Sequence, residues 1–380
     1  MKDNEIAIEF VEREFYKNER TVLAFVIKKA YDAPRVIPMD GLIECYDSLS
    51  VNLADISLLY KNEILYDKVW GRLEPEMVGV DNVYFSPDGI LNTFAIENLS
   101  RNGEMPLSSK KLYRLSSTRE ILNVRDREVS KAALYGGLDF YMCDETYDKV
   151  VNTEKLDRRA VVEGLLGELE GTEAEVEQIK TILEDNRLKP DVYTGCTGTE
   201  ESFKSLSGND YSLIHVASHG TYLSAIEASI YDDQSENLAM ERSCLYFAGA
   251  NNALLQGNAS LGDNNNGILT AKEIAMLDFK NVDLVVLSAC ETGLGDVTSE
   301  GVFGLQRGFK KAGVGSVLMS LWNVDDEATL RLMTEFYTNW TEKKMTKYDS
   351  LEAAKEVIRE TERWESPNYW AAFVLLDGLQ

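Results

Sequence analysis

The stretch VDLVVLSACETG, residues 282–293, decides the fold. Val285, Val286 and Leu287 form an unbroken apolar run that leads into a cysteine and a glycine-bearing turn. Such a run fits a parallel strand covered on both faces, because alternation disappears when neither face meets water. In open α/β sheets, sites are built just outside the carboxyl ends of the strands. Cys290 stands at that point. A second run, YSLIHVASHG at 211–220, has the same form but delivers His219 and Gly220. A cysteine and a histidine at two strand ends make the layout of a thiol nucleophile with its base.

The pattern continues on both sides of these strands. Val302, Leu305 and Phe309 step by three and four, which predicts an amphipathic helix ended by Gly313. SVLMSLW (316–322) reads as the next buried strand, and Leu330, Met333, Tyr337 and Trp340 mark another helix. A helix over roughly 348–363 and a closing strand in YWAAFVLL (369–376) follow. Upstream lie strands in AALYGGLDFY (132–141) and DVYTG (191–195), an acidic helical region at 155–185, and a helix from Thr199 to Leu206. This alternation predicts a mostly parallel sheet sandwiched between helices.

The N-terminal part reads as an α/β half of its own. IAIEFVEREF, VLAFVIKKAY and a return through Val36 and Ile37 predict a hairpin or meander over 5–45. Leu53, Ile56, Leu59 and Tyr60 give helical periodicity within 45–75. Strands are expected in VDNVYFSPDG (80–89) and KKLYRLSSTRE (110–120), the latter running into a helix start that Ser117 or Thr118 can cap. The polar segment 121–131 marks a boundary, so halves of 1–128 and 129–380 are expected. VDNVYFSPDG weakly echoes VDLVVLSACETG, with Asp88 where Cys290 falls. The first half would then be a degenerate copy without its nucleophile; chance similarity of two strand ends is the rival reading.

Composition narrows the partners. Thirty-nine basic and 64 acidic residues give a net charge of −25, which repels phosphate backbones and favours basic partners or peptide segments. Direct nucleic-acid contact is therefore not expected. The cysteines, at 45, 143, 196, 244 and 290, are odd in number and show no CxxC. With an acidic N-terminus lacking an apolar core, they suggest a reduced, cytoplasmic setting, and Cys45, Cys143, Cys196 and Cys244 read as packing residues. No apolar run approaches the ~20 residues needed to span a bilayer. With His215 and His219 as the only histidines, no His-rich metal site is expected, and no cofactor is called for. Segments 221–243 and 251–266 lack apolar periodicity and read as mobile loops between the His and Cys strands.

Ala-Ser-His-Gly at 217–220, followed by Leu-Ser-Ala-Cys-Glu-Thr-Gly at 287–293, resembles the CHAT family, bacterial relatives in the clan of caspases, separases and gingipains. VYFSPDG, GILTAKEIAMLDFKNVDL, EGVFGLQRGFKKAGVGSVLMSLWNVDDEAT and YWAAFVLL extend the likeness over nearly the whole chain. The resemblance implies a caspase-like α/β fold, one CHAT domain made of both halves, and peptide-bond hydrolysis by a His219/Cys290 dyad. The caspase signature is Gln-Ala-Cys-x-Gly. Here it is Ser-Ala-Cys-Glu-Thr-Gly, so a preference for aspartate does not carry over. CHAT domains commonly work with tetratricopeptide (TPR) repeats. No ~34-residue repeat is visible, so a longer parent chain or a separate TPR-type or other activating protein is the expected partner.

The chemistry can be assigned residue by residue. His219 is the candidate general base and acid, and the Gly220 and Cys290 N–H groups are candidates for the oxyanion hole. His215 shares a strand face with His219 but lies deeper, which favours a structural role. Trp322, Val324 and Asp326 resemble the separase segment that binds arginine, so Asp325 and Asp326 are substrate-binding candidates; a helix-capping role for Asp325 competes. Glu291, Thr292 and Glu300 flank the cysteine loop and read mainly as solvated loop residues, and the acidic 155–185 segment reads as a solvated face or a partner-docking surface. The expected activity is a cysteine endopeptidase cleaving protein substrates, after a basic residue, in bacterial defence or regulated processing. The alternative is a catalytically silent interaction module or a latent protease needing a partner.

Overall fold

The structure is a computed structural model that describes residues 1–15, 19–50, 55–125, 129–141, 165–222, 240, 243–255, 265–288 and 299–380. Residues 1–125 with 346–380 form one compact unit, and 126–345 form a second.

The first unit opens with the predicted meander, β1 (Glu5–Phe15), β2 (Glu19–Ile27) and β3 (Arg35–Pro38), paired antiparallel. On β2, buried Val22, Ala24 and Val26 alternate with partly exposed Thr21, Leu23 and Phe25, so one face enters the core. Helix α1 (Leu42–Ser50) follows. β4 (Asn82–Ser86) and β5 (Lys111–Arg114) then add parallel strands beside β1, pairing Ile6 with Val83 and Val83 with Leu112. Trp70 anchors this core: it meets Phe85 edge-on at 5.6 Å and donates from Nε1 to the Ile96 carbonyl at 2.8 Å. Asp88, the position echoing Cys290, accepts from the Glu12 N–H at 2.9 Å and so ties its loop to β1.

The second unit holds a five-stranded, all-parallel sheet in the order β13-β12-β8-β6-β7. Its strands are β6 (Ala132–Leu138), β7 (Asp191–Gly195), β8 (Leu213–Val216), β12 (Leu284–Leu287) and β13 (Ser316–Ser320). Every residue of β8, β12 and β13 is buried, as their unbroken apolar runs demand. A small antiparallel sheet, ordered β11-β10-β9, comprises β9 (Gly220–Tyr222), β10 (Ser243–Tyr246) and β11 (Ile268–Thr270). The loop expectation for 221–243 and 251–266 is corrected at the edges. A strand begins at Ser243 because SCLY buries completely, and a helix spans Ala250–Leu255; residues 223–239, 241–242 and 256–264 lie outside the described residues.

The main helices of this unit are α2 (Glu170–Asp185), α3 (Ser299–Ala312) and α4 (Asp326–Tyr337). They cover both faces of the sheet. Leu134 and His215 face one way, Tyr135 and Val216 the other, since neighbours on a strand alternate. His215 meets Tyr337 of α4 and Glu175 of α2, whereas Tyr135 packs on Phe203, which in turn meets Phe309 of α3. Helix α2 comes very close to β6. A side chain at Gly136 would meet the Thr172 carbonyl at 2.5 Å, and Gly137, at φ +59°, donates to Thr172 Oγ1 at 2.9 Å. The glycine pair therefore sets where α2 begins.

The chain closes in the first unit with α5 (Lys347–Arg359) and β14 (Phe373–Leu376), which pairs parallel with β5. β14 is shorter than its apolar run because Pro367 starts a helical turn over Pro367–Trp370. No described helix is long and apolar enough to cross a membrane.

Candidate active site

Strands β8 and β12 are parallel neighbours, with Val216 paired to Leu287. His219 and Cys290 each come three residues after this pair in sequence. Cys290, Glu291 and Thr292 lie outside the described residues, while Glu300 falls in the first turn of α3.

His219 is 4 % exposed, and three contacts fix it. Its ring lies 5.0 Å from that of Phe140, its carbonyl accepts from the Tyr246 N–H at 3.0 Å, and its Nε2 is 2.8 Å from the Gly167 carbonyl. A carbonyl only accepts, so Nε2 carries the hydrogen and the neutral ring keeps its lone pair on Nδ1. Gly167 thus fixes the orientation of the imidazole. Gly220 follows at the start of β9, paired with Leu245 of β10.

His219 borders a cleft of about 70 Å³ at the carboxyl ends of β8, β12 and β13. Ser218, Ser288, Ser320, Glu175 and Asp326 line it with the first turn of α2. The two adjacent aspartates separate here. Asp325 caps α4, accepting from the Ala328 N–H at 3.0 Å, while Asp326 faces the cleft. Trp322 and Val324 are buried and anchor this connection. Gly171 of α2 sits so close that a Cβ there would fall 2.8 Å from Asp326 Cβ. Partial burial raises the Asp326 pKa, and the Asp325, Glu175 and Glu170 carboxylates add to the rise; a hydrogen bond from the Gly171 N–H opposes it.

His215 is fully buried, with Nδ1 3.1 Å from the Tyr337 hydroxyl and Nε2 3.0 Å from Glu175 Oε1. It is a packed member of the core, below the cleft. Residues 62–378 match the CHAT domain. The chain belongs to the CHAT domain family.

Among curated proteins, this CHAT domain is 34% identical over 110 residues to tetratricopeptide repeat protein 28 of Mus musculus, covering 29% of this chain and 4% of that one. It is 24% identical over 278 residues to the Homo sapiens protein of the same name, covering 71% of this chain and 11% of that one. The chain therefore spans about a tenth or less of these relatives. Among solved structures, the Arg-specific cysteine proteinase gingipain R aligns over 82% of this chain and 66% of its own at 11% identity and a TM-score of 0.47. Protein GSU0716 from Geobacter sulfurreducens aligns over 65% of this chain and 93% of its own, at 13% identity and a TM-score of 0.35.

Two residues, one holding His219 and one lining the cleft, escape sequence reasoning. Gly167 acts through a backbone carbonyl and leaves no side-chain trace. Glu175 sits in a segment read as a solvated or docking face, yet it is 3 % exposed. Its signal is periodic: it shares the inward face with Thr172, Val176 and Ile179 at helical spacing. The cysteine reading also needs correction. Cys244 is buried and Cys45 half-buried, both outside any disulfide, but Cys196 is exposed after β7 and disulfide-bonded, so it is not a packing residue. Among the described residues, no cluster of His, Cys, Asp and Glu could hold a metal ion.

Proposed function

We propose that this CHAT domain is a cysteine endopeptidase that cleaves protein substrates after a basic residue. The observation that carries the proposal is His219, with Nδ1 as its basic nitrogen, beside a cleft bearing Asp326 and, among the described residues, no lysine or arginine. In the proposed reaction the Cys290 thiol gives its proton to Nδ1, and the thiolate sulfur adds to the scissile carbonyl carbon. The Gly220 and Cys290 N–H groups receive the developing oxyanion. His219 then protonates the departing amine, and water, deprotonated by the same ring, hydrolyses the thioester. The Gly167 carbonyl stabilises the imidazolium through the Nε2 hydrogen. Asp326 receives the charged end of the preceding side chain, while Asp325 holds α4 in place.

A latent state is the second reading, favoured because the curated relatives are TPR proteins far longer than this chain. In that reading a TPR segment, in the parent chain or a partner, activates the site in a defence or processing role. The N-terminal unit would be a degenerate half completing the same CHAT domain.

Fluorogenic peptides with Arg, Lys, Met or Asp before the reporter test the proposal. Cys290→Ala and His219→Ala should each reduce turnover about 10³-fold or more. Equal cleavage by Cys290→Ala and wild type sinks the dyad. If a peptide electrophile leaves Cys290 unlabelled with and without a TPR partner, the chain is an interaction module instead.

A further inference from the structure

We propose that Glu175 is a second specificity-determining carboxylate, set below Asp326, and that the pair selects a long cationic side chain before the cut. This rests on the reading that the cleft receives that side chain. Glu175 comes from the second turn of α2, whose position the close approach to Gly136 determines. It lines the cleft yet is 3 % exposed, whereas Asp326 is solvent-exposed at the mouth.

The two oxygens of Glu175 differ. Oε2 accepts from Ser288 Oγ at 3.0 Å, next to the end of β12. Oε1 has no hydrogen bond; His215 Nε2 is 3.0 Å away but off the line that a hydrogen bond needs. A carboxylate this deep is costly to leave without a well-aligned partner. His215 is itself buried beside Tyr337 and supplies at most one positive charge against two carboxylates. An entering cation would satisfy both at once. Their unequal depth suits a flexible stem passing Asp326 with its charged head at Glu175. Arginine fits better than lysine, because its fork can donate to separate carboxylates. A neutral side chain would bury Glu175 further without pairing it.

The test compares kcat/KM on matched peptides carrying Arg, Lys or norleucine before the cut. Glu175→Gln keeps the shape of the side chain and an acceptor for Ser288 Oγ. It should lower the Arg-to-norleucine ratio about tenfold or more, as loss of a charge-assisted hydrogen bond does. Glu175→Asp retains the charge one methylene further back, so Lys should lose about tenfold relative to Arg. Binding of agmatine, the arginine side chain without its carboxyl group, should weaken about tenfold in Glu175→Gln by calorimetry, whether or not the chain turns over peptides.

The outcomes separate this inference from the function beneath it. No Arg preference in an active wild type refutes the basic-residue reading itself. An Arg preference abolished by Asp326→Asn but unchanged in Glu175→Gln overturns the role of Glu175 alone. A uniform loss on all three peptides also overturns it, since Glu175 would then serve only to hold Ser288. For a chain without turnover, agmatine binding that is absent or unaltered by Glu175→Gln is the refuting result.

Discussion

Replacing Gly171 by alanine adds one methyl group at the point where α2 meets the first residue of α4. The new Cβ would lie 2.8 Å from Asp326 Cβ and 3.2 Å from its Cγ and Oδ2. Carbon atoms settle at about 3.5–4.0 Å, so Asp326 must retreat by roughly an ångström. Overpacking of this kind costs about 1–3 kcal/mol. Alanine regains about 1 kcal/mol over glycine within a helix, so the net loss is about 0–2 kcal/mol. For a unit of this size the melting temperature should drop by no more than about 8 °C. Specificity should suffer more. A displaced carboxylate loses a charge-assisted contact of about 1.5–3 kcal/mol, equivalent to about 10–100-fold in the Arg-to-norleucine ratio of kcat/KM. The assay pairs that ratio with a melting curve. A lowered melting temperature with an unchanged ratio refutes the claim that Gly171 places Asp326 for the substrate. A collapse of both norleucine cleavage and stability would make Gly171 a purely structural residue.

Acidification should raise KM for the Arg peptide as Asp326 is protonated through its raised pKa, with norleucine cleavage following a different profile; Asp326→Asn should remove the difference. Because the folded-state pKa is raised, the Asp326 contribution to stability is present at low pH and lost as pH rises, so Asp326→Asn should be slightly more stable than wild type at neutral pH in urea titrations. In the first unit, burial opposes ionisation of Glu97, but Arg114, donating from Nη2 at 2.8 Å and Nε at 3.0 Å, overcomes it and holds the pKa below the usual range. Breaking this pair with Glu97→Gln should cost about 3–5 kcal/mol by denaturant unfolding at pH 7. The wild-type advantage should be present above the unfolded carboxylate pKa and fade as pH falls through the lowered one; a pH-independent difference would contradict the pairing. Gly136→Ala, whose Cβ meets a backbone oxygen at 2.5 Å, should destabilise the second unit by about 1–3 kcal/mol, and unchanged unfolding would refute the close approach of α2 to β6.

How far the sequence could be read depended on what carries each function. The β8 and β12 strands were readable because complete burial leaves an unbroken apolar run, and each run ends in a residue whose type announces chemistry. Asp325 and Asp326 were not separable, because they are the same residue type and aspartate suits both roles. The outcome depends on which one precedes the first helical turn, a one-residue matter that local dihedrals decide. Glu175 was hidden by the average acidity of its segment, although the spacing of Thr172, Val176 and Ile179 places it on the inward face. Gly167 was beyond reach, since any residue offers a carbonyl. The glycines mark the deepest limit. Gly136 and Gly171 are visible as letters, but their effect lies in which atoms they admit: the start of α2 against β6, and Asp326 against α2. The negative charge of the cleft follows from those two approaches, which bring carboxylates from separate helices to one opening. A residue list can predict that such carboxylates exist, whereas their convergence depends on side chains that are missing.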